Sequence, residues 1–378
     1  MLLSVFIYTF TAFCLYVFAD IARRRYGNIG HKVSLVKPEY IFSFLIFGFV
    51  VGARYRVGVD HLSYLEYFNS MNLDTPSKDM EPLFHAITWL FAKSGLHYFF
   101  YFAFWGILQL FFVYYSFKEY RFVIPFAAVY LMLGPFFFDW MNIMRQSIAV
   151  CGFAALSQFV NDKKIYRFAI GVLLLSLIHK SALICIPLYF LVYFPNFYEK
   201  KRLLLILYFV SIFIGMSVPS INIIPIQQVM NIIGYDNYNL EMTMSENHSF
   251  AQAWGPRRLS MVAVDLIVIC YFASLYKRYQ LDGKWKLFFS LFFIGTCLYN
   301  IVSGISGFLV RPLNYLLVFK IPLVGLMLYY TKQKKPLIFL LLILCACTFT
   351  YIGVYTAFRS PGDAAAETCL YKFFFDAP

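Results

Sequence analysis

Four short stretches carry residue types suited to holding an anion or moving a proton. In "DWMNIMRQSIA" (Asp139 to Ala149), Asn142, Arg145 and Gln146 fall at i, i+3 and i+4, one polar stripe on the first turns of a helix. A helix N-terminus offers free N–H groups and the positive end of the dipole, so an Arg there favours an anion. A hydrogen-bond stripe to a neighbouring helix is the other use of the same residues. "GARYRVGVDHLSY" (Gly52 to Tyr64) gathers Arg54, Arg56, Asp60 and His61. The Arg fork matches phosphate oxygens in pairs and is less strongly hydrated than an ammonium. "LLLSLIHKSALI" (Leu173 to Ile184) sets a lone His179 at the end of an apolar run. A neutral imidazole there serves as general base or proton carrier, or simply as a satisfied interfacial residue. "GFLVRPLNY" (Gly307 to Tyr315) puts Arg311 before Pro312, which disfavours helix at 311 and marks a break. Arg311, Asn314 and Tyr315 repeat the i, i+3, i+4 spacing.

Any one of these Arg residues could instead anchor lipid headgroups or pair with Asp60, Glu66, Asp79 or Glu81. Two further charges lie inside apolar runs. Lys320 is expected to snorkel or to form a structural ion pair. Asp265 shares a helix face with Arg258, which is its expected partner.

The elements that position these residues follow from composition. Of 378 residues, 61% are hydrophobic and 13% charged, against about 25% charged in an ordinary soluble domain. One soluble core could not hide that apolar surface, so the solvent for most of it is lipid. The expected fold class is all-α, a polytopic helical integral membrane protein forming a single domain over residues 1–378. About twelve spans are expected, near 2–19, 40–53, 97–117, 122–138, 144–160, 165–178, 181–194, 203–218, 259–276, 287–307, 312–330 and 336–356. The pair around His179 could be one broken or re-entrant unit. Leu2 to Ala19 has no charged segment before it and Arg23-Arg24-Arg25 after it, which reads as a first span rather than a cleaved signal.

The net charge of +13 sits in short basic clusters between apolar runs, the positive-inside pattern, and no nucleic-acid-binding motif accompanies it. The greater share of the 32 Lys and Arg residues falls at 23–37, 118–121, 161–167, 200–202, 277–286 and 332–335, which makes those connections cytoplasmic. Both termini and the two longer loops, about 54–96 and 219–258, then face outward. In the first loop "KDMEPLFHAITWLFAKSG" predicts an amphipathic helix on the outer leaflet, capped by Asp79 or Ser77, with Pro82 in its first turn. The prominent outward basic residues are all Arg: Arg54, Arg56, Arg145, Arg257, Arg258 and Arg311.

No Walker A loop, metal-ligand spacing or G-x-S-x-G is present. The eight Cys sit mostly in apolar runs and read as small hydrophobes, and Asn247 opens a glycosylation sequon.

In order along the chain stand Arg56, Gly58, Asp60 and Tyr64, then Glu81-Pro82, then Asn142 with Arg145-Gln146, then His179 with Ser181, and last Arg311 before a span. This series resembles the EpsG family of polysaccharide polymerases, relatives of the Wzy-type O-antigen polymerases, over about residues 40 to 320. The resemblance implies a bacterial inner-membrane enzyme joining undecaprenyl-pyrophosphate-linked oligosaccharide units at the periplasmic face, without a cofactor. Its expected partners are that lipid-linked glycan, the bilayer, and a chain-length regulator and flippase of the same pathway. In such a transfer, negative charge develops on the leaving pyrophosphate, and preorganised Arg forks stabilise it with no metal invoked. Arg54, Arg56, Arg145 and Arg311 are then the pyrophosphate ligands. Asp60 or His179 takes the proton of the acceptor hydroxyl. Tyr64, Glu81, Asn142 and Gln146 bind sugar or hold the site together. An O-antigen ligase or another polyprenyl-dependent glycosyltransferase would share these groups but use a different acceptor, lipid A core for the ligase. A flippase of the lipid-linked unit would need polar groups in both leaflets, whereas these gather on one side.

Overall fold

Backbone inside hydrocarbon must satisfy its own N–H and C=O groups, and this chain does so with helices. The computed structural model describes residues 1–30, 34–72, 80–193, 197–217, 255–303, 307–359 and 369–376, and among the described residues no strand forms. In chain order come α1 (Leu2–Tyr26), α2 (Pro38–Gly52), α3 (His61–Asn72), α4 (Pro82–Lys93), α5 (Tyr98–Ser116), α6 (Ile124–Leu133), α7 (Phe136–Asn142), α8 (Met144–Asn161) and α9 (Ile165–Ser176). A 3-10 segment, Lys180–Tyr193, precedes α10 (Lys201–Ser217). The later helices are Pro256–Arg278, Gly283–Val302, Lys320–Lys334 and Pro336–Arg359, with short turns of helix over Gly307–Val310, Arg311–Leu313 and Asn314–Leu317.

Five of these helices are long and apolar enough to cross a membrane, and two bent pairs bring the number to seven if each pair is one span. The α6–α7 pair bends by 61°, and Arg311–Leu317 meets Lys320–Lys334 at 40°. This is a multi-pass helical membrane protein. On α1, Leu2, Phe6, Phe10 and Phe13 point away from the protein at helical spacing, and Phe42, Leu45 and Phe49 do the same on α2. Those faces meet lipid. Inward faces pack closely where small residues allow it. A Cβ at Gly52 would stand 2.6 Å from the Phe99 carbonyl of α5, and one at Gly106 would stand 2.8 Å from Val51.

Polar contacts collect at the two ends of the bundle. At one end Arg121 donates to the carbonyls of Tyr26, Gly27 and Ile29, Lys284 pairs with Glu119 at 2.6 Å, and Arg25 with Glu39 at 3.1 Å. At the other end the segment after residue 368 pairs with the loop that follows α2. The Tyr55 N–H donates to the Lys372 carbonyl at 2.8 Å, and the Phe374 N–H to the Ala53 carbonyl at 2.9 Å. Tyr371 holds the arrangement from within, its hydroxyl donating to the Val50 carbonyl and its N–H to Ser4 Oγ of α1.

Among the described residues one ion pair lies between these ends. Lys320 and Asp265 are in contact, each 2% exposed, and the Tyr208 hydroxyl donates to the second carboxylate oxygen at 3.2 Å. Asp265 therefore pairs across helices and not with Arg258 on its own helix. Arg258 donates instead to Asn300 Oδ1 at 2.8 Å, and Asn300 to Ser211 Oγ at 3.0 Å. Side chains of neighbouring helices lie nearer than a residue two turns along the same helix. Asp79, Ser77, the Asn247 sequon and residues 219–254 of the second loop expected to face outward lie outside the described residues.

Removing one member of a buried pair strands the other charge, whereas replacing both with apolar groups does not. Asp265→Ala should lower stability by about 3–5 kcal/mol, seen as a fall in melting temperature of the detergent-solubilised protein. Lys320→Met combined with Asp265→Leu should recover most of that loss, and a double variant as unstable as the single would contradict the pair's structural role.

Candidate functional site

The segment from Arg54 to Asp60 is shaped by two backbone features. Arg56 adopts φ 57° and Gly58 φ 91°, the left-handed region that costs a Cβ-bearing residue energy. At Gly58 there is also no room for a side chain, since a Cβ would stand 2.4 Å from the Met141 carbonyl. That close approach brings the segment onto the end of α7. There the Asn142 side-chain oxygen accepts the Asp60 N–H at 3.1 Å. Arg54 is wholly buried, and its Nη1 donates to the carbonyls of Met141 (2.8 Å) and Val57 (3.0 Å) while its guanidinium lies over the Phe102 ring. Burial pushes Arg54 down to about 10. Arg56 by contrast is exposed. His61 is buried and stacked on Phe102 with ring centroids 4.8 Å apart, and burial holds its imidazole well below its ordinary range.

The second group of residues comes from α4, α8 and the turn after α9. Glu81 stands at the start of α4, 8% exposed, and each of its oxygens has a partner. Oε2 takes Arg145 Nη1 at 2.5 Å, and Oε1 takes the Lys180 N–H at 3.3 Å. The first free N–H groups of α4, on Leu83 and Phe84, donate to the Leu177 carbonyl, so the helix start is stitched to the turn that carries His179. Arg145 lies over the Phe84 ring and against the hydroxyl of Tyr64, and its Nε is buried without a hydrogen-bond partner. Donor capacity thus remains on Arg145 beyond its bond to Glu81.

His179 is tied by its Nδ1. The Ser181 N–H donates to it at 3.2 Å, and Ser181 Oγ lies 3.0 Å from it and 3.0 Å from the Tyr315 hydroxyl. A ring nitrogen that accepts a backbone N–H carries no proton, so in the neutral imidazole the hydrogen is on Nε2. Burial, with a smaller push from Arg145 and Arg311 against the pull of Glu81, drives His179 down to about 4. The ring is neutral at physiological pH, and Nε2 is a donor.

Arg311 completes the cluster. Its carbonyl accepts Gln146 Nε2 at 2.9 Å, and its charge acts on His179 from one side and on Asp139 from the other. The structure therefore brings Asp60, Tyr64, Glu81, Asn142, Arg145, Gln146, His179 and Arg311 to one end of the bundle. It seals Arg54 beneath them and leaves Arg56 at the rim. Sequence reasoning had not given a role to Asp139, although it opens the same stretch as Asn142 and Arg145. Among the described residues no three His, Cys, Asp or Glu side chains group as a metal site requires.

The order of these motifs is that of a known family, and the EpsG family model matches residues 39–372. The chain belongs to the EpsG family. Members are Wzy-type polysaccharide polymerase-like proteins, so this EpsG-family chain is a polysaccharide polymerase-like membrane protein. No curated protein and no solved structure matches it.

His179 links stability to pH with a definite sign. Its pKa is lower folded than unfolded, so the unfolded chain binds the proton more readily. The contribution is fully present above pH 6.5 and is lost as pH falls from there toward 4. Melting curves across this window should show wild type losing roughly 3 kcal/mol more than His179→Gln. Parallel curves for the two proteins would show that the imidazole is not held neutral.

Proposed function

We propose that the chain is a bacterial inner-membrane polysaccharide polymerase. It transfers the growing glycan from undecaprenyl pyrophosphate to a second lipid-linked repeat unit at the periplasmic face. About twelve membrane passes, with α4 lying on the outer leaflet, are part of this reading. The observation that carries it is the gathering of Arg145, Arg311 and the Nε2 donor of His179 at one end of the bundle, held by Glu81 and Gln146. Family membership supports the reaction class.

In this reaction the acceptor oxygen bonds to the anomeric carbon of the donor sugar, and the bond from that carbon to the pyrophosphate oxygen breaks. The leaving lipid pyrophosphate keeps the electron pair, so charge grows on its oxygens. Arg145 and Arg311 neutralise that charge, and Arg56 meets the pyrophosphate at the rim. A neutral His179 donates from Nε2 to a phosphate oxygen, adding a hydrogen bond without a further positive charge. Arg54 serves from below by fixing the Arg56–Asp60 backbone. Tyr64, Glu81, Asn142 and Gln146 hold these groups in register. With its proton on Nε2, His179 is ill placed to act as base. The acceptor hydroxyl proton then goes to a carboxylate, for which Asp60 is the candidate that the family motif supplies.

Arg145→Ala and Arg311→Ala should each abolish chain extension while single-unit product persists, read as loss of the glycan ladder in a complemented deletion strain. Full-length chains from either variant would remove the pyrophosphate assignment. His179→Gln, whose amide N–H can reach where Nε2 stands, should keep more extension than His179→Glu. The reverse order would restore a base role to His179. Movement of the lipid-linked unit across liposomes without elongation would replace the polymerase reading with a flippase.

A further inference from the structure

Asp139 sits one turn before Asn142 on α7, between Phe136, Phe137, Trp140 and Met141, all of which are buried. It alone of that group is exposed. Among the described residues its carboxylate makes no hydrogen bond and no ion pair, yet it lies within electrostatic reach of two guanidinium groups, Arg257 and Arg311. An exposed carboxylate within electrostatic reach of two cations and bonded to neither keeps its oxygens open to a polar group.

The surroundings of that carboxylate are ordered by several elements. Arg257 opens the Pro256–Arg278 helix, and its Nε is buried without a hydrogen-bond partner. Gly353 makes room for its guanidinium, since a Cβ there would stand 2.9 Å from Nη2. Tyr299, near the end of the Gly283–Val302 helix, is in electrostatic reach of both Asp139 and Arg258. On its other side α7 packs against α1, where the Tyr8 ring meets Phe137 and Phe138, and against α6, where Tyr130 meets Phe136. Among the described residues the ionisable groups facing Asp139 are therefore Arg257, Arg311 and Tyr299. Arg311 is shared, because its charge also acts on His179. The two halves of the site meet at that residue.

Resting on the polymerase reading, we infer that Asp139 is the catalytic carboxylate that orients and deprotonates the acceptor sugar hydroxyl. As the acceptor oxygen attacks the anomeric carbon, its proton passes to the Asp139 carboxylate, and the carbon–oxygen bond to the pyrophosphate breaks with its electron pair leaving on the lipid pyrophosphate. Arg311 stands where it can act on both the base and the leaving group. This assignment replaces Asp60 as the base, and the Asp60 backbone is held at the start of α3, its carbonyl accepting the Tyr64 N–H and its N–H donating to Asn142 Oδ1.

The test uses purified full-length protein in liposomes, supplied with the lipid-linked repeat unit extracted from a strain lacking the gene. Elongation is followed across pH 4–8. Asp139→Asn should slow elongation about 10²–10⁴-fold and remove the acid limb of the rate profile. Asp139→Glu should keep elongation with that limb displaced. Asp60→Asn should retain the limb, whatever happens to its maximal rate. If Asp139→Asn elongates within about tenfold of wild type and keeps the limb, the assignment is wrong while the polymerase reading stands. An Asp139→Glu protein with the limb unmoved overturns it equally, and covers the case in which the Asn variant does not fold. If wild type itself does not elongate, the polymerase reading fails and takes this inference with it.

Discussion

The Glu81 carboxylate is the contact on which the candidate site depends. One oxygen holds Arg145 of α8 and the other the Lys180 N–H beside His179, so three segments distant in sequence share one anion. An Arg side chain at the start of a helix samples many rotamers, and ordering it costs entropy that must be offset. Glu81 offsets that cost before any ligand arrives. It also balances the charge, so that a cation can sit in a partly buried place without being driven toward solvent. The neighbouring stitch from Leu83 and Phe84 to the Leu177 carbonyl keeps the carboxylate at a fixed distance from the turn it serves.

The arrangement follows from where irregular backbone is tolerated. Between helices in a membrane the chain can leave regular hydrogen bonding only where protein or water satisfies the freed groups. Most of the candidate residues lie at or beside such a break: the Arg54–Asp60 segment, the α7–α8 junction, the turn at 177–179 and the short helical turns at 307–317. Arg54 illustrates the price of such a break. Its guanidinium is buried in order to satisfy the carbonyls of Met141 and Val57, which no helix could do for them. The segment after residue 368 answers the same need from the other side, giving Ala53 and Tyr55 their backbone partners.

Much of the fold was legible because hydrophobic run length and the helical period are local properties. The expected runs at 40–53, 144–160 and 336–356 lie within a few residues of α2, α8 and the last helix, 2–19 lies inside a longer α1, and Pro312 sits in the 3-10 turn that interrupts the α-helix at 311–313. The clustering of Asn142, Arg145 and Gln146 with His179 and Arg311 was legible too, through helix-start spacing and a shared side of the chain. What periodicity cannot express is which helices touch. Asp265 was assigned to Arg258 because they share a face, yet Lys320 is the neighbour across the interface. Arg54 looked like Arg56 in sequence, but Gly58 lets the backbone turn so that one is buried and the other exposed. Asp139 carried no signal of its own, since a carboxylate on an apolar helix start reads as a cap until its neighbours are known.

The neutrality of His179 bears on how such a site could favour a transition state over a ground state. The lipid pyrophosphate of the proposed reaction is already anionic, so a site of bare cations would hold substrate and leaving group alike and gain little rate. Here Arg145 is partly neutralised by Glu81, Arg311 faces Asp139, and the imidazole brings a directed N–H with no net charge. Groups of this kind respond most to the charge that appears as the glycosidic bond breaks, because they are already oriented and need not reorganise. In the polymerase proposed above, Glu81 tempers Arg145, and Asp139, which faces Arg311, would temper that cation and accept the acceptor's proton. One balance of charge would then limit ground-state binding and supply the base.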